Sequence, residues 1–392
     1  MGLYQRLGVR TLINARGNAT LAGGTLMDPE VVDAMVEASR SFVRIGDLQE
    51  AASERIAALT GAEAGYVTSG AAAALTLGTA AMITRLRPDL MDRLPDTADA
   101  PADVIVQAVH RNGYDHLVRA AGATLVDVGD GAGATVDQVV AAIGPSTAGL
   151  FFQGLEEGRG LSVDAFIAVA HAHDLPVLVD ASMNLPPRAN LRRFIELGAD
   201  LVAFSGGKSI RGPQASGFLA GRAELLLAVG LQQQDMDELP STWVRRHLLE
   251  SGTLSRLPDH GIGRSMKTGK EEIAGLLVAL ERYVARDEDA DYARHARVAD
   301  LLAAGLSDVP GLTVGREPGQ AGGRPIPMTT VSVDPIGYEM TAVELVRRLG
   351  ARDPIVLVAD HDAEAGVLRL DPENLDDDGA DQVIAAIRNG GR

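Results

Sequence analysis

Two uninterrupted apolar runs restrict the fold of this chain more than any other feature. The run 175–180 (LPVLVD) ends in a carboxylate, and the run 201–204 (LVAF) is followed at once by 205–208 (SGGK). Continuous valine and leucine runs of this length are typical of strands buried on both faces, as in parallel sheets. The stretch 190–197 between them has helical spacing. The segment therefore predicts a βαβ unit.

Asp180 and Lys208 are the polar residues that follow these two strands, and we expect both at the carboxyl edge of the sheet, where open α/β folds bind ligands. This pair suits pyridoxal 5'-phosphate (PLP). The lysine amine forms a Schiff base with the cofactor aldehyde, and the aspartate keeps the pyridine nitrogen protonated. The alternative is an α/β site of another kind, with Lys208 in a surface turn and Asp180 as a helix cap.

Composition excludes several classes of function. The chain has 392 residues, enough for two domains, and a net charge of −17, which argues against nucleic acid or an anionic membrane as a partner. It has no cysteine, so disulfides and thiolate chemistry are excluded, and we expect no metal site. No apolar stretch reaches the ~20 residues of a membrane helix, and the first ten residues lack an apolar signal core. We expect a soluble, cytoplasmic protein.

A hydroxyl–glycine turn before an alanine-rich helix is a candidate phosphate site. Ser69, Gly70 and Ala71 open a helical stretch that continues to about residue 85. Small residues let an anion approach the backbone N–H groups at a helix N-terminus, where the helix dipole favours negative charge. The alternative is a tightly packed buried helix capped by Ser69.

Two further polar clusters are candidates for ligand contacts. His110 follows the predicted strand 104–107, and it either stacks on a flat cofactor ring or caps the next helix. The segment 264–272 places three cations before a predicted helix over 273–286. Cations are disfavoured at a helix N-terminus, so either this start is solvated or an anion binds nearby.

The pattern of elements predicts an arm and two domains. Residues 1–25 are polar and glycine-rich, which predicts an arm or a loop near a site instead of a core element. Residues 26–260 form the predicted large α/β domain, in which strands and helices alternate and 223–260 is expected to be helical. Residues 261–392 form the predicted small α+β domain.

The chain resembles PLP enzymes of fold type I. More narrowly, it is similar to the selenocysteine synthase-like group that includes D-glucosaminate-6-phosphate ammonia-lyases. The resemblance covers nearly the whole chain. Its motifs occur in the family's order: INARGNATLAGG, VTSGAAAAL, VHRNGYD, VDAS, FSGGKSIRGPQASG, MKTGKEEI, PIPMT and DPIVLVADHDAEAGVLRLDPENL.

The resemblance implies an aspartate aminotransferase-like large domain with a mainly parallel sheet, and a smaller C-terminal α+β domain. It makes Lys208 the Schiff-base lysine and Asp180 the partner of the pyridine nitrogen. It implies a homodimer or a larger homo-oligomer with active sites at the subunit interface, where Gln214 and Lys267 reach the phosphate region from a neighbouring subunit. The other implied cofactor-binding residues are Ser69, Gly70, Ala71, Gln107, His110, Ser182 and Ser205.

Two departures from the family pattern concern the substrate. Selenocysteine synthases carry an N-terminal domain for tRNA, whereas Arg16 already lies in the arm here, so we expect no tRNA substrate. Ammonia-lyase-like relatives tend to have an arginine, suited to a substrate carboxylate, where this chain has Ala359. We hypothesise that Arg16 takes over this role. The alternative is that Arg16 pairs with a local acid.

The family chemistry starts with removal of the substrate's α-proton by the freed, neutral Lys208. The expected reaction is α,β-elimination, which deaminates an amino acid or amino sugar acid to a 2-oxo acid. Racemisation or epimerisation, and retro-aldol cleavage of a β-hydroxy amino acid, are alternatives. Outside enzymes, a non-catalytic PLP-fold binding protein is the remaining hypothesis. Arg188, Arg192 and Arg193 either bind a substrate phosphate or form a solvated helix face.

Overall fold

The structure, a computed structural model, describes residues 2–234 and 237–391. The chain divides into two compact units. Residues Met27–Val284 form the first, called here the α/β unit. The segment up to Leu26 combines with the segment from Ala285 onward in the second, called the α+β unit.

The structure places the strands and helices of the described residues as follows. The strands are β1 Leu12–Ala15, β2 Ala64–Thr68, β3 Asp103–Gln107, β4 Thr124–Val128, β5 Thr147–Gln153, β6 Val177–Asp180, β7 Leu201–Ser205, β8 Gly217–Gly221, β9 Leu312–Glu317, β10 Met328–Val333, β11 Ile355–Val358 and β12 Val367–Leu370. The helices are α1 Leu3–Arg6, α2 Pro29–Ser39, α3 Ile45–Thr60, α4 Ala71–Thr84, α5 Pro88–Met91, α6 Asp115–Ala120, α7 Val136–Ala142, α8 Val163–His171, α9 Asn190–Glu196, α10 Ala223–Leu231, α11 His247–Glu250, α12 Lys270–Ala285, α13 Glu288–Leu306, α14 Ala342–Ala351 and α15 Asp377–Arg388.

The α/β unit is built on a seven-stranded sheet, as counted in the described residues, with the order β2-β8-β7-β6-β5-β3-β4. Strands β3 to β7 pair in parallel, and β8 runs antiparallel to both of its neighbours. Parallel strands need a crossover, which helices supply here, whereas the antiparallel strands β7 and β8 are joined by the loop 206–216 without a helix. The predicted α/β class with a mainly parallel sheet is confirmed.

Apolar cores lie in layers on this sheet. Helix α4 is apolar all round and buried from Ala73 to its end, as expected for a helix enclosed by protein. Helix α4 belongs to one apolar core of this unit. In a second core, Ile273 and Leu276 of α12 pack with strand residues such as Val179. Helix α12 therefore belongs to the α/β unit, and the unit continues to Val284 instead of ending at the predicted residue 260.

The α+β unit contains an antiparallel sheet of order β12-β10-β9 and a parallel pair formed by β1 and β11. Leu12 pairs with Ile355 and Ala15 with Val358. Ala15 is fully buried in the core of this unit. The prediction that the arm is too polar for a core element was therefore wrong for β1, because its pairing partner lies far away in the sequence.

The predicted helical region 223–260 is mostly not helical in its described part. Helix α10 ends at Leu231, and beyond it α11 has four residues. Pro240, Gly252 and Pro258 interrupt this segment, and each disfavours a continuous helix. None of the helices in the described residues is long and apolar enough to cross a membrane.

Candidate active site

Polar side chains collect at the carboxyl edge of the parallel strands. Gln153 at the end of β5 is the register partner of Asp180 at the end of β6. Asp180 is in turn paired with Ala203, so that Ser205 and the turn bearing Lys208 follow directly on the neighbouring strand. The predicted βαβ unit is present, and it delivers its two polar endpoints to one edge of the sheet.

Asp180 is a buried carboxylate with neutral hydrogen-bond donors. Its side chain is 4% exposed. Gln153 Nε2 donates to Oδ2 at 3.0 Å, and the Ser182 N–H donates to Oδ1 at 2.9 Å. Within the described residues it forms no ion pair. Burying a carboxylate without a cation is costly, so this environment fits a cationic group such as the protonated pyridine nitrogen of PLP.

The turn that carries Lys208 depends on its two glycines. A Cβ on Gly206 would lie 2.2 Å from Ser216 Oγ, and a Cβ on Gly207 would lie 2.5 Å from the Cα of Gln214. The turn closes as the Arg211 N–H donates to the Lys208 carbonyl at 2.8 Å. Any side chain in place of either glycine would move the half-buried Lys208 away from the sheet edge. Gln214, predicted at the phosphate, lies against this turn.

The N-terminus of α4 keeps its first N–H groups without a side-chain cap. Gly70 is the N-cap residue, with φ +102°, and no side chain bonds the first turn. Ser69 Oγ instead donates to the Met266 carbonyl at 3.0 Å, so the alternative of a Ser69-capped helix was wrong. A Cβ on Gly217 would lie 2.7 Å from the Ala71 nitrogen. Residues 69–71 and Gly217 together form a cradle, called here the phosphate cradle, that fits the cofactor phosphate.

His110 is fully buried, and its ring lies edge-on to Phe152, with 4.6 Å between ring centroids. Nε2 lies 3.0 Å from the Arg159 carbonyl, whereas Nδ1 is buried without a hydrogen-bond partner in the described part of the chain. Burial lowers the pKa of His110, so the ring is neutral near pH 7. A neutral imidazole with an open nitrogen suits the predicted place on the cofactor ring.

Gln107 is also fully buried, and its amide holds a loop. Oε1 accepts from the Leu161 N–H at 2.7 Å, and Nε2 donates to the Leu161 carbonyl at 3.0 Å. A third contact brings the Ala134 N–H to Oε1 at 3.2 Å. This amide is occupied by backbone groups, so Gln107 is a weaker candidate for the cofactor ring than His110.

Arg16 lies in the α+β unit and pairs with a local acid, as the alternative hypothesis described. Its Nη1 is 2.5 Å from Asp360 Oδ1, and the arginine side chain is 18% exposed. Nη1 also lies 3.5 Å from the Val358 carbonyl. Ala359, the next residue, is buried. The carboxylate-binding role of Arg16 stays a prediction.

The three arginines near α9 contact protein groups. Arg188 donates to the Val284 carbonyl at 2.7 Å, and Arg192 donates to the carbonyls of residues 58 and 59. Arg193 forms a bidentate pair with Glu157. These contacts favour a structural role over the binding of a substrate phosphate.

Lys267 is exposed and makes no hydrogen bond or ion pair with the described residues. It follows Met266, whose carbonyl accepts from Ser69 of the phosphate cradle. Lys267 is thus tied to the predicted phosphate region through its neighbour in the sequence. Ser205 and Ser182 flank the ends of β7 and β6 at the same sheet edge.

Gln153 is the site residue that the sequence did not reveal. The strand 147–153 ends in phenylalanine, phenylalanine and glutamine, and a polar residue at the end of an apolar run is the signal that was available. Its role depends on strand order, because only the pairing of β5 with β6 places the amide against Asp180.

This fold and site define a PLP-dependent enzyme of fold type I, and that prediction is confirmed. A model of the family aminotransferase class-V matches residues 24–340. The chain belongs to this family.

Two curated relatives are similar to nearly the full chain. The 5'-C-glycyluridine monooxygenase-decarboxylase of Streptomyces sp is 30% identical, over 98% of this chain and 90% of its own length. The D-glucosaminate-6-phosphate ammonia lyase of Salmonella typhimurium is also 30% identical, over 98% of this chain and 97% of its own length. A solved structure of D-glucosaminate-6-phosphate ammonia-lyase aligns with a TM-score of 0.81 at 28% identity, over 100% of this chain and 98% of that chain.

Proposed function

We propose that this protein is a PLP-dependent lyase that deaminates an amino acid or amino sugar acid by α,β-elimination. The observation that carries the proposal is the buried carboxylate of Asp180, which has no cation partner among the described residues and lies beside the strand that leads to Lys208. The near-full-length similarity to an ammonia lyase supports the type of reaction. The substrate is a small molecule with an amino group.

In the proposed reaction, separate residues bind the two ends of the cofactor. PLP, when bound, supplies an electron sink that makes the substrate's α-hydrogen acidic. Asp180 holds a positive charge at the sheet edge, and Gln153 and the Ser182 N–H fix the direction of its oxygens. The N–H groups at the start of α4 hold the phosphate.

Proton transfer is assigned to Lys208. Its Nζ accepts the α-proton of the substrate, and the glycine turn keeps this amine at the sheet edge. His110 supplies a neutral ring wall next to Phe152, which excludes water without adding a charge. Racemisation, epimerisation and retro-aldol cleavage use the same residues and remain alternatives, as does a non-catalytic binding protein.

Oxidative decarboxylation is a second candidate function. The relative named a monooxygenase-decarboxylase is as similar to this chain, at 30% identity, as the ammonia lyase. Sequence reasoning did not weigh this reaction. The two candidates differ in consumption of dioxygen and release of carbon dioxide, which are both absent from an elimination.

The cofactor assignment is tested by the visible absorbance of the purified protein, native and as Lys208→Ala. The native protein is expected to show a cofactor band that borohydride abolishes, and the variant is expected to lack it. Lys270→Ala removes a lysine outside the predicted cofactor-binding residues, one that pairs with Glu271, and serves as the control. The absence of a band in native protein supplied with PLP would refute the assignment.

The reaction is tested with a panel of amino acids and amino sugar acids, with and without a phosphate ester. Release of ammonia and a 2-oxo acid without oxygen uptake supports the lyase. Oxygen uptake with release of carbon dioxide supports the second candidate. Exchange of the α-proton without either product supports racemisation, and no change with any compound favours a binding protein.

We also propose that the protein acts as a homodimer or larger homo-oligomer in the cytoplasm. Exposed apolar side chains on and after α2 support self-association, because such patches mark interaction surfaces. Phe42 is 103% exposed, Val43 50% and Val36 42%. Light scattering after size-exclusion chromatography is expected to show a dimer that Phe42→Glu dissociates, whereas Tyr292→Glu, at a partly exposed tyrosine of the other unit, does not.

The proposed role of Arg16 in binding a substrate carboxylate has its own test. Arg16→Ala is expected to raise KM by about tenfold or more with little change in kcat, since a charged hydrogen bond is lost. Arg10→Ala removes another arginine of the same unit, one that donates to the backbone carbonyls of residues 350–352, and serves as the control. An unchanged KM in Arg16→Ala would contradict the substrate-binding role, and Arg16 would then serve to pair with Asp360.

A further inference from the structure

The α+β unit contains a cavity of about 950 Å³, and none of the residues assigned to the proposed reaction lines it. Its walls come from residues 309–310 after α13, from the loop 337–340, from Arg348 of α14 and from residues 388–390 at the end of α15. All of these segments belong to one compact unit. The volume lies in the range of small-molecule sites.

Backbone contacts hold the loop 334–340 beside the end of α13. Gly311 has a φ of +76°, and a Cβ on it would lie 2.0 Å from the Tyr338 nitrogen, so only glycine fits this approach. The Asp334 N–H donates to the Gly311 carbonyl at 2.8 Å, and the Tyr338 N–H donates to the Asp334 carbonyl at 2.9 Å. The Tyr338 hydroxyl donates to the Ile387 carbonyl near the end of α15. The walls are thus fixed to one another before a ligand arrives, which lowers the entropy cost of binding.

Glu339 adopts a backbone conformation that its residue type rarely has. Its φ is +60°, in the left-handed region that favours glycine. Its side chain is exposed and forms no ion pair or hydrogen bond with the described residues. The unit therefore gains no contact from this side chain that would offset the strain. Backbone strain of this kind clusters at sites that clamp a ligand.

Arg348 contributes a positive charge to the same cavity. Its Nε lies 2.9 Å from Glu344 Oε1, whereas its two Nη groups donate no hydrogen bond within the described part of the chain. Arg348 and Glu339 do not pair with each other, although both line the cavity. A ligand that carries both charges would satisfy the two side chains at once.

The remaining wall is apolar and neutral. Val309, Pro310 and Met340 contribute to it. A Cβ on Gly390 would lie 3.0 Å from Met340 Cε, so the glycine leaves space for the methionine side chain at the end of α15. Burial raises the pKa of Tyr338, which keeps its phenol uncharged near pH 7. The cavity therefore combines one acidic group, one basic group and an apolar surface.

We propose that this cavity binds a free α-amino acid, with the carboxylate at the Nη groups of Arg348 and the ammonium group at Glu339. A guanidinium matches a carboxylate bidentately, and an ammonium group pairs with a carboxylate. The side chain of the ligand packs on Pro310 and Met340. An anion alone or a cation alone would leave one charge of the cavity unmatched. The site is additional to the proposed reaction and does not rest on it.

The probe is N,N-dimethyl-L-leucine, an amino acid whose tertiary amine keeps its positive charge near pH 7 but cannot form an imine with the cofactor. Holoenzyme is titrated with it by isothermal titration calorimetry. Saturable binding is expected, with no change in the visible cofactor band. Acetate and trimethylammonium, which carry one charge each, should bind at least about tenfold more weakly. The absence of saturable heat, a change in the cofactor band or equal affinity for acetate would overturn the proposal.

Matched variants locate the ligand. Arg348→Gln and Glu339→Gln should each raise the Kd of the probe by about tenfold or more. Arg347→Gln is the control for the arginine, because Arg347 pairs with the same Glu344 and does not line the cavity. Glu364→Gln changes an exposed acid outside the cavity and is the control for the glutamate. An unchanged Kd in either cavity variant, with the protein folded by circular dichroism, would contradict the proposal.

Glu339→Gly separates binding from stability. Glycine adopts a positive φ without strain, so the Tm of this variant should be at least that of the native protein. The variant lacks the carboxylate, so its Kd should rise by about tenfold or more. A native Kd in this variant would show that Glu339 is not a ligand. The titration does not depend on turnover, so its result stands even where no compound of the panel reacts.

Discussion

Two buried aspartates, one in each unit, have nearly the same hydrogen bonds. Asp180 follows the apolar run of β6, and Asp371 comes directly after β12. Each is 4% exposed. Each accepts from a glutamine amide, Gln153 at 3.0 Å and Gln320 at 2.8 Å, and from the backbone N–H two residues further on. Local geometry alone does not distinguish them.

The difference lies in the charged neighbours. Beside Asp371 are Glu373 and the buried Arg324, whose Nη2 is 2.5 Å from Glu373 Oε2. Burial, and then the charge of Glu373, raises the pKa of Asp371 to about 6. Asp180 has only neutral donors in the described part of the chain. The carboxylate of the α+β unit has its cation within the protein, whereas that of the α/β unit is left for a ligand.

The largest expected effect comes from removing the charge of Asp180. Asp180→Asn should lower kcat/KM by about 100-fold or more, because a fixed charge that acts on the reaction is lost. Asp371→Asn should change kcat/KM by about threefold at most. The comparison is measured on the best substrate of the panel. Similar losses in both variants would show that the two carboxylates do not differ in function.

Arg324→Met should destabilise the protein by about 3–5 kcal/mol, since it leaves two buried carboxylates without a cation. The free energy of unfolding is measured by chemical denaturation. Arg297→Met is the matched control in the same unit, because the pair of Arg297 and Asp377 is more than half exposed and should contribute at most about 1 kcal/mol. Equal losses of unfolding free energy in the two variants would show that Arg324 stabilises the protein no more than an exposed ion pair does.

The raised pKa of Asp371 predicts a pH dependence with a definite sign. Its ordinary value is 3.8 and its value in the folded protein is about 6, so the native state binds the proton more tightly than the unfolded state. The stability from this group is present below about pH 4 and is lost as the pH rises through 6. Compared with Asp371→Asn, the native protein should lose on the order of 3 kcal/mol over this range. A variant with the same pH slope would contradict the assignment.

The smallest expected effects come from the two glutamines. Gln153→Met should lower kcat/KM by about tenfold, as one hydrogen bond that orients Asp180 is lost. Gln320→Met should reduce the free energy of unfolding by about 1–3 kcal/mol, since Asp371 loses a buried donor, and should leave kcat/KM nearly unchanged. If Gln320→Met lowered kcat/KM and Gln153→Met changed only the stability, the roles assigned to the two aspartates would be reversed.

Asp180 and Lys208 could be found from the sequence because each follows a long apolar run, and strand direction alone brings them to one edge. The environment of Asp371 could not. Gln320 and Arg324 come from a polar segment about 50 residues earlier, and only tertiary folding places them beside the end of β12.

The two errors in the fold have different causes. Residues 12–15 form strand β1 because they pair with β11, which lies far away in the sequence and which no local pattern indicates. The segment after α10 has helical composition, yet proline and glycine interrupt it.

The pairing of β1 with β11 also determines when the molecule can be completed during synthesis. The α/β unit is one continuous segment, and it leaves the ribosome in order. Strand β1 leaves before it, but its partner is made only when most of the chain has been translated. Until then the strand has an unpaired edge, which is open to contact with other nascent chains. Arg16 can meet Asp360 only after both segments have left the ribosome, so the arm is completed late in synthesis.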